Sequence, residues 1–169
     1  GIFAPNDSAL TAIYQPGDSD KTAGTVVLVL TSSNIGTCNT VTDSMTVTIT
    51  PPPVANAGPD LLVCIGDDVQ LDGNIFGGGG TGAWSANGSG TFADDSLLNS
   101  SYTPSVSDTL EGLIDFYLAS TNNANCNPAF DTLTVIFLNK PIVNAGTDKS
   151  VCADTSEVPL NGSVSGSST

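Results

Sequence analysis

The sequence predicts an all-β protein made of β-sandwich modules that repeat every 88 residues. Short segments rich in Val, Thr and Ile alternate with clusters of Gly, Pro, Asn and Asp, which is the pattern of strands joined by turns. The chain contains no segment with the sustained 3.6-residue apolar period of an amphipathic helix. Similar residues also recur 88 positions apart, including Tyr14 and Tyr102, and Cys38 and Cys126. A fixed period of this size indicates an array in which each repeat is a folding unit.

The first predicted strand spans residues 25–31 and has its counterpart at residues 113–118. The counterpart carries a charge at Asp115. Because successive side chains of a strand point to opposite faces, the apolar residues on either side of Asp115 share the other face, toward the core. The residues predicted to face the core are Val26, Leu28 and Leu30 in the first copy and Ile114, Phe116 and Leu118 in the second.

A second strand follows at residues 44–50, where apolar and hydroxyl-bearing side chains alternate strictly. Two further strands are predicted at residues 69–71 and 81–85, the latter with Trp84 as a core anchor. The glycines at 77–80 are predicted to form the flexible tip of a hairpin. The inward residues of the second strand and of its counterpart are Met45, Val47, Ile49, Leu133, Val135 and Phe137.

Prolines mark the predicted module boundaries. The Pro51–Pro53 tract follows the last strand of one copy, and Lys140-Pro141 occupies the same phase in the next. Two arrangements accommodate the resulting halves: a stretch of a longer repetitive polypeptide, or copies whose halves complete each other by strand complementation. The predicted units are the C-terminal half of one module at 1–50, a complete module at 53–140 and the N-terminal half of another at 141–169.

The composition excludes several classes of function. Seventeen acidic residues stand against three lysines, with no arginine or histidine, and the net charge is −14. Nucleic acid and anionic membranes are excluded as partners, because affinity for phosphate groups depends on Lys and Arg. The chain has no run of 18 apolar residues, so membrane insertion is not expected.

No enzymatic activity is expected from these residues. Without histidine or arginine, and with dispersed carboxylates, the sequence offers no acid–base pair and no activated nucleophile. The Gly77–Gly80 run lacks the Lys-Ser/Thr and the helix that follow a phosphate-binding loop. We therefore predict no catalytic residue and no cofactor apart from Ca²⁺ as a candidate ligand.

Ca²⁺ is a candidate because carboxylates lie near predicted turns and junctions, and this ion prefers oxygen ligands. The chain lacks the spacing of an EF-hand loop, and Asp residues that form turns by bonding their own backbone are the alternative explanation. The candidate ligands are Asp60, Asp67, Asp68 and Asp72, together with Asp18 and Asp20.

Short motifs at the start of the complete module resemble the opening of PKD-type immunoglobulin-like domains. They are Pro53–Asp60, Val69–Gly73 and Gly82-x-Trp84. A fuller set is similar to the tandem repeats of large cell-surface proteins of Bacteroidota, among them gliding-motility adhesins. The similarity covers essentially the whole chain, and it is specific for the type of module rather than for one biological role. The fuller set consists of Val63-Cys64, Gly82–Ser85, Gly88–Phe92, Ser101–Pro104, Cys126 and Asp131–Val135.

This resemblance implies immunoglobulin-like sandwiches in a rod-like array, exported by the type IX route and displayed outside the cell. The chain would be a structural segment of a surface filament or adhesin that serves gliding motility or attachment. Its partners would be neighbouring copies of the repeat, joined end to end, and surface glycans or other cells. The alternative is a carbohydrate-binding accessory module of an exported enzyme, which needs a solvent-facing aromatic platform. The aromatic residues available for one are Trp84, Tyr14, Tyr102 and Tyr117, for which packing is the simpler expectation.

The four cysteines occur as one pair per period, and an extracellular location favours disulfides. In an immunoglobulin-like topology, Cys64 lies at the C-terminal end of its module and Cys126 at the N-terminal end, roughly 30 Å apart. A disulfide needs Cα atoms within about 7 Å. The hypothesis is a bond between successive modules or copies, with Cys64 joined to the equivalent of Cys38 in a following copy and Cys126 to the equivalent of Cys152 in a preceding one. Free thiols and intramodule pairing remain the alternatives.

Asp followed by Ser or Thr and an apolar residue occurs five times and resembles the O-glycosylation acceptor motif of Bacteroidota. Sugars on exposed turns would protect a fibre from proteases. The candidate acceptors are Ser8, Ser44, Ser96, Thr109 and Thr132.

Overall fold

The computed structural model describes residues 1–33 and 36–166, and its strands confirm the all-β prediction. The last three residues of the predicted half-module 141–169 lie outside the described residues. Two helices of six residues accompany the strands, α1 (Asp18–Ala23) and α2 (Val106–Glu111). The strands of the described part are β1 (Ile2–Ala4), β2 (Ile13–Gln15), β3 (Thr25–Thr31), β4 (Thr42–Thr48), β5 (Val54–Asn56), β6 (Leu61–Cys64), β7 (Val69–Asp72), β8 (Asn74–Phe76), β9 (Thr81–Ala86), β10 (Thr91–Phe92), β11 (Asn99–Thr103), β12 (Leu113–Thr121), β13 (Phe130–Leu138), β14 (Ile142–Asn144) and β15 (Ser163–Ser165).

The central part of the chain forms two main sheets. β10, β11 and β7 make a three-stranded antiparallel sheet in that order. β6, β13, β12 and β9 make a four-stranded sheet, in which β6 and β13 run parallel and the other pairs antiparallel. β5 and β8 form a separate antiparallel pair. Since β6 and β13 are distant in sequence, this topology depends on long-range pairing.

All buried apolar side chains in the described part of the chain belong to one cluster. Both main sheets contribute to it, which confirms the inward faces predicted for β12 and β13 and the predicted burial of Trp84 in β9. Burial on this scale is the main source of stability in a unit of this size. The buried members are Ala57, Val69, Leu71, Ile75, Trp84, Tyr102, Ile114, Phe116, Leu118, Leu133, Val135 and Phe137.

Aromatic rings join the two sheets at the centre of this core. The ring centroid of Tyr102 in β11 lies 5.0 Å from that of Phe116 in β12, with the ring planes at 89°. Phe92 in β10 packs against Tyr102 at 4.9 Å. Edge-to-face pairs of this kind contribute about 0.5–1.5 kcal/mol beyond the area that they bury.

Both helices escape the sequence prediction, because six residues are too few to show an apolar period. Capping residues mark the ends of these helices instead. Ser105 precedes α2, and its Oγ accepts a hydrogen bond from the Asp108 amide at 3.2 Å. Each helix ends at a glycine in the left-handed region, Gly24 with φ +74° and Gly112 with φ +82°, a conformation that favours glycine.

The Gly77–Gly80 segment does not form the predicted hairpin tip. It connects β8 to β9, and these strands pair with β5 and β12 rather than with each other. The segment crosses between sheets and packs against the proline tract, where the Gly78 amide donates to the Pro51 carbonyl at 3.2 Å. The prediction is wrong because a glycine run indicates a reversal of the chain without indicating which strands pair.

The flanking segments have local strand pairs without a buried core in the described residues. β3 and β4 pair, with Leu28 opposite Met45. Leu30 and Met45 are exposed, although both were predicted to face a core. The alternation of the strand is as predicted, but a face is buried only where a second sheet covers it.

Candidate functional site

The junction before the central sheets is closely packed. The proline tract lies against the Gly77–Gly80 segment, and a Cβ added at Gly77 would lie 2.5 Å from the Pro52 carbonyl oxygen. Cys126 lies at the same place, with its Sγ 3.8 Å from the Thr50 carbonyl oxygen. The linker is therefore held by the body of the protein rather than projecting as a free tether.

The junction after the central sheets is held by backbone pairing and by an ion pair. Cys64, at the end of β6, lies opposite Leu138, the last residue of β13. Lys140 Nζ donates to Asp67 Oδ1 at 2.6 Å, and this hydrogen bond raises the pKa of Lys140. Both side chains are about half exposed, so the pair contributes little to stability.

Cys64 and Cys126 mark opposite ends of β13. Cys64 lies beside Leu138, whereas Cys126 precedes Phe130, the first residue of the strand. A strand of nine residues is about 26 Å long from first to last Cα. Cys64 and Cys126 are half-buried and Cys38 and Cys152 are exposed, and no disulfide joins any two of them in the described structure.

A buried carboxylate organises the loops at one end of the central sheets. Asp108 is 1% exposed and accepts hydrogen bonds from the amides of Ser89, Gly90 and Ser105 at 2.8–2.9 Å. It also accepts from the Tyr102 hydroxyl at 2.9 Å. Burial raises the pKa of Asp108, but these hydrogen bonds outweigh burial and lower the pKa to about 2.

The pKa of Tyr102 is raised to about 12, first by burial and then by its hydrogen bond to Asp108. Tyr102 is therefore a neutral donor and Asp108 an anionic acceptor at neutral pH. This pairing ties β11 to α2.

The same cluster occurs near the start of the chain. Asp20 accepts from the Tyr14 hydroxyl at 2.7 Å and from the Gly17 amide at 2.8 Å. The nitrogen of Gly1 lies 2.6 Å from Asp20 Oδ2. Its hydrogen bond is the largest of the effects that hold the pKa of Asp20 well below its usual range. At Asp108 the Ser89 amide occupies the corresponding position and donates to the carboxylate at 2.8 Å. The sequence prediction missed this cluster, although the recurrence of Tyr and Asp six residues apart in both copies was a signal for it.

The carboxylates predicted as Ca²⁺ ligands have separate roles. Asp60 accepts from the Thr134 amide at 2.8 Å, and Asp67 binds Lys140. Asp68 and Asp72 are exposed. Asp18 in α1 pairs with Lys21, and Asp20 belongs to the tyrosine cluster. Among the described residues, no group of three or more candidate ligands is close enough to hold a metal ion.

The predicted glycosylation acceptors lie in three kinds of local structure. Ser8 and Ser96 lie on exposed turns, as predicted. Ser44 and Thr132 are exposed but lie within β4 and β13. Thr109 is half-buried within α2, where its hydroxyl donates to the Val106 carbonyl at 2.9 Å. Asp108 of its motif is buried, so three of the five candidate acceptors lie outside turns.

The four aromatic residues considered for sugar binding do not form one platform. Trp84 and Tyr102 are buried in the core. Tyr14 packs against Phe3 with ring centroids 5.1 Å apart. Tyr117 is 39% exposed on β12. The sequence prediction overlooked three exposed aromatic side chains, Phe3, Phe76 and Phe130.

Comparison with known proteins assigns no family to this arrangement. No protein-family model matches the chain, and no curated protein matches it. Neither of the described helices is long and apolar enough to cross a membrane.

Proposed function

We propose that this chain is a structural segment of an extracellular filament or adhesin, built from immunoglobulin-like modules in tandem. The observation that carries the proposal is local structure that recurs at equivalent positions. In β3–β4, Val26 lies opposite Val47 and Leu28 opposite Met45. In β12–β13, residues 114 and 116 lie opposite residues 135 and 133, so the register is the same after 88 residues.

Other recurring details support the same reading. The Tyr14–Asp20 contact corresponds to Tyr102–Asp108. The amide of Ile49 donates to the Gly24 carbonyl at 2.8 Å, as that of Phe137 does to Gly112 at 2.9 Å. Repeats that share registers and caps at this level are expected to share one fold, which favours a linear array over a single globular enzyme.

The function of such an array is to give a filament its length. The packed junction at Pro51–Pro53 and the strand that ends at Leu138 favour a stiff connection between modules. A surface location agrees with the resemblance to repeats of Bacteroidota surface proteins, and it implies export by the type IX route. Disulfides between successive modules and sugars on the exposed hydroxyls would add resistance to proteases, and an intact mass above that of the sequence by sugar increments would establish occupancy.

Labelling of intact cells tests this proposal. Antibodies raised against residues 53–140 are expected to decorate thin fibres on unfixed cells of the source organism in negative-stain microscopy. Modules at least about 26 Å long, the length of a nine-residue strand, are expected along each fibre. Labelling that occurs only after lysis would contradict surface display.

Sugar binding is the alternative function, and the exposure of Tyr117 is the observation that favours it. Tyr117 shares the outer face of β12 with Leu113 and Asp115. Binding to a glycan array that is lost in Tyr117→Ala and kept in Leu113→Ala would support this alternative. Absence of binding by the unaltered chain would exclude it for the glycans tested.

A further inference from the structure

We propose that the central module, residues 53–140, resists tension along the array through one seam, formed where residues 57–67 lie beside residues 131–140. The inference rests on the module array proposed above and adds a mechanical function to it. Three observations carry it: the parallel pairing of these two segments, hydrogen bonds that continue the pairing beyond the strands, and the position of the seam between the entry and the exit of the chain.

The seam is built on the pairing of β6 with β13. These two strands run parallel, and four residues of each lie in register, the last of them Cys64 opposite Leu138. The Ile65 amide continues the pairing by donating to the Leu138 carbonyl at 2.9 Å. β6 lies at the edge of the four-stranded sheet and pairs with no other described strand, so its backbone hydrogen bonds to a neighbouring strand all go to β13.

Side chains extend this connection at both ends of the strand pair. Before β6, the Ala57 amide donates to Asp131 Oδ2 at 2.8 Å, and Asp60 Oδ1 accepts from the Thr134 amide at 2.8 Å. After β6, the ion pair at the junction joins the same two segments. Contacts between the first and the last segment of the module therefore follow β13 along almost its whole length.

Both carboxylates of the seam recur in the sequence. Asp43 lies 88 residues before Asp131, and Asp148 lies 88 residues after Asp60. An acidic residue at the same two positions of another copy is expected if these hydrogen bonds belong to the module type rather than to one copy.

The chain enters and leaves the module at opposite ends of the seam. It enters from the Pro51–Pro53 tract, which lies beside Cys126 and therefore near the start of β13. It leaves after Lys140, at the end of the same strand. Tension along the chain therefore pulls β6 toward its N-terminus and β13 toward its C-terminus. Because the two strands are parallel, these forces slide one strand along the other.

A paired strand resists sliding better than peeling. Hydrogen bonds cross from strand to strand at even spacing, so sliding strains all of them together, whereas peeling from one end breaks them one after another. β5, which precedes the seam, is held by only three register pairs with β8. No disulfide links the two segments among the residues that the structure describes, so the resistance depends on these non-covalent bonds.

A constant-force measurement on single molecules of the full chain, held at its two ends, tests the inference. We expect the central module to open in one step of roughly 260 Å, the extended length of residues 57–140 less the length of the folded module. The bonds of the seam break in this step. A substitution that removes one of them should therefore speed opening by its full effect, whereas a bond that is still intact when the seam breaks should not affect the rate.

Asp60→Ala and Asp131→Ala each remove one bond of the seam. Each is expected to raise the opening rate at constant force by about fivefold, the effect of one hydrogen bond on a rate constant. Ser120→Ala is the matched control, because Ser120 Oγ likewise accepts from one backbone amide, that of Ala129 at 2.8 Å, but outside the seam. It should leave the opening rate almost unchanged. Fluorescence of the buried Trp84 should be unaltered in all three variants, which shows that the module is folded in each.

The direction of pulling separates the seam from overall stability. Asp68→Cys and Asn139→Cys, in a chain whose native cysteines are replaced by serine, place handles at the same end of β6 and β13. Pulling on these handles peels the strands apart, and it should need a force several-fold lower than pulling on the ends of the chain, although the bonds are the same.

Two results would overturn the inference: equal forces in the two directions, or equal effects of Asp131→Ala and Ser120→Ala. Cell-surface labelling decides the proposed function independently, because the resistance of the seam is measured on the isolated chain.

Discussion

At the scale of single residues, Asp108 shows how environment changes the meaning of a sequence motif. In the sequence it belongs to an Asp-Thr-Leu motif that resembles a glycosylation site, which implies an exposed turn. In the fold it is buried, and three backbone amides and the Tyr102 hydroxyl donate to it. A carboxylate with this many donors holds several chain segments in place at once.

Asp108→Asn is expected to destabilise the protein by about 3 kcal/mol, because an amide has one acceptor oxygen and leaves buried donors without partners. Urea unfolding followed by Trp84 fluorescence measures this loss. Asp72→Asn, at an exposed carboxylate, is the control and should change the free energy of unfolding by less than about 0.5 kcal/mol. Equal effects of the two substitutions would contradict a structural role for Asp108.

Acid is expected to weaken the fold through the same carboxylate. The pKa of Asp108 is lower in the folded protein than its ordinary value of 3.8, so the unfolded chain binds the proton more readily. The stabilisation is therefore complete above about pH 4 and is lost as pH falls toward 2, by roughly 2 kcal/mol. Urea midpoints measured between pH 6 and pH 2 should show a smaller decline in Asp108→Asn than in the unaltered chain.

At the scale of secondary-structure elements, one hairpin occurs in two environments. β3–β4 and β12–β13 have the same register and the same alternation. The second hairpin is covered by another sheet and is buried, and the first is not. Equivalent residues should therefore differ greatly in their contribution to stability.

Phe116→Ala is expected to cost about 3–5 kcal/mol, because it empties a fully buried site between the two sheets. Leu28→Ala, at the equivalent position, should cost less than about 1 kcal/mol when measured on dilute, unassociated chain. Thermal unfolding monitored at Trp84 gives both values. A large effect of Leu28→Ala at high dilution would mean that its face is covered within the single chain.

At the scale of the whole molecule, the cysteines lie where units meet. Cys126 is beside the linker before the central sheets, and Cys64 is beside the strand that leads out of them. In an array of such modules, the hypothesis of disulfides between successive modules joins Cys64 to the equivalent of Cys38 in a following copy, and Cys126 to the equivalent of Cys152 in a preceding one. A peptide that joins Cys64 to Cys126 within one chain, identified by mass spectrometry, would contradict this pairing.

The order of amino acids along the chain is enough to specify the faces of the strands. Asp115 between apolar neighbours indicates which side of β12 is buried, and Phe116 and Trp84 are buried as predicted. It also indicated which residues recur. These features are local, because alternation within a strand follows from backbone geometry alone.

The pairing of the strands, and therefore the covering of the predicted faces, depends on the three-dimensional fold. β6 joins β13, more than seventy residues later, and the Gly77–Gly80 segment passes between sheets instead of turning a hairpin. The burial of Asp108 and the exposure of Met45 have the same origin. The direction of a side chain follows from the geometry of its own backbone. Its burial depends on segments that are distant in sequence and pack against it, and the residue pattern does not specify which segments these are.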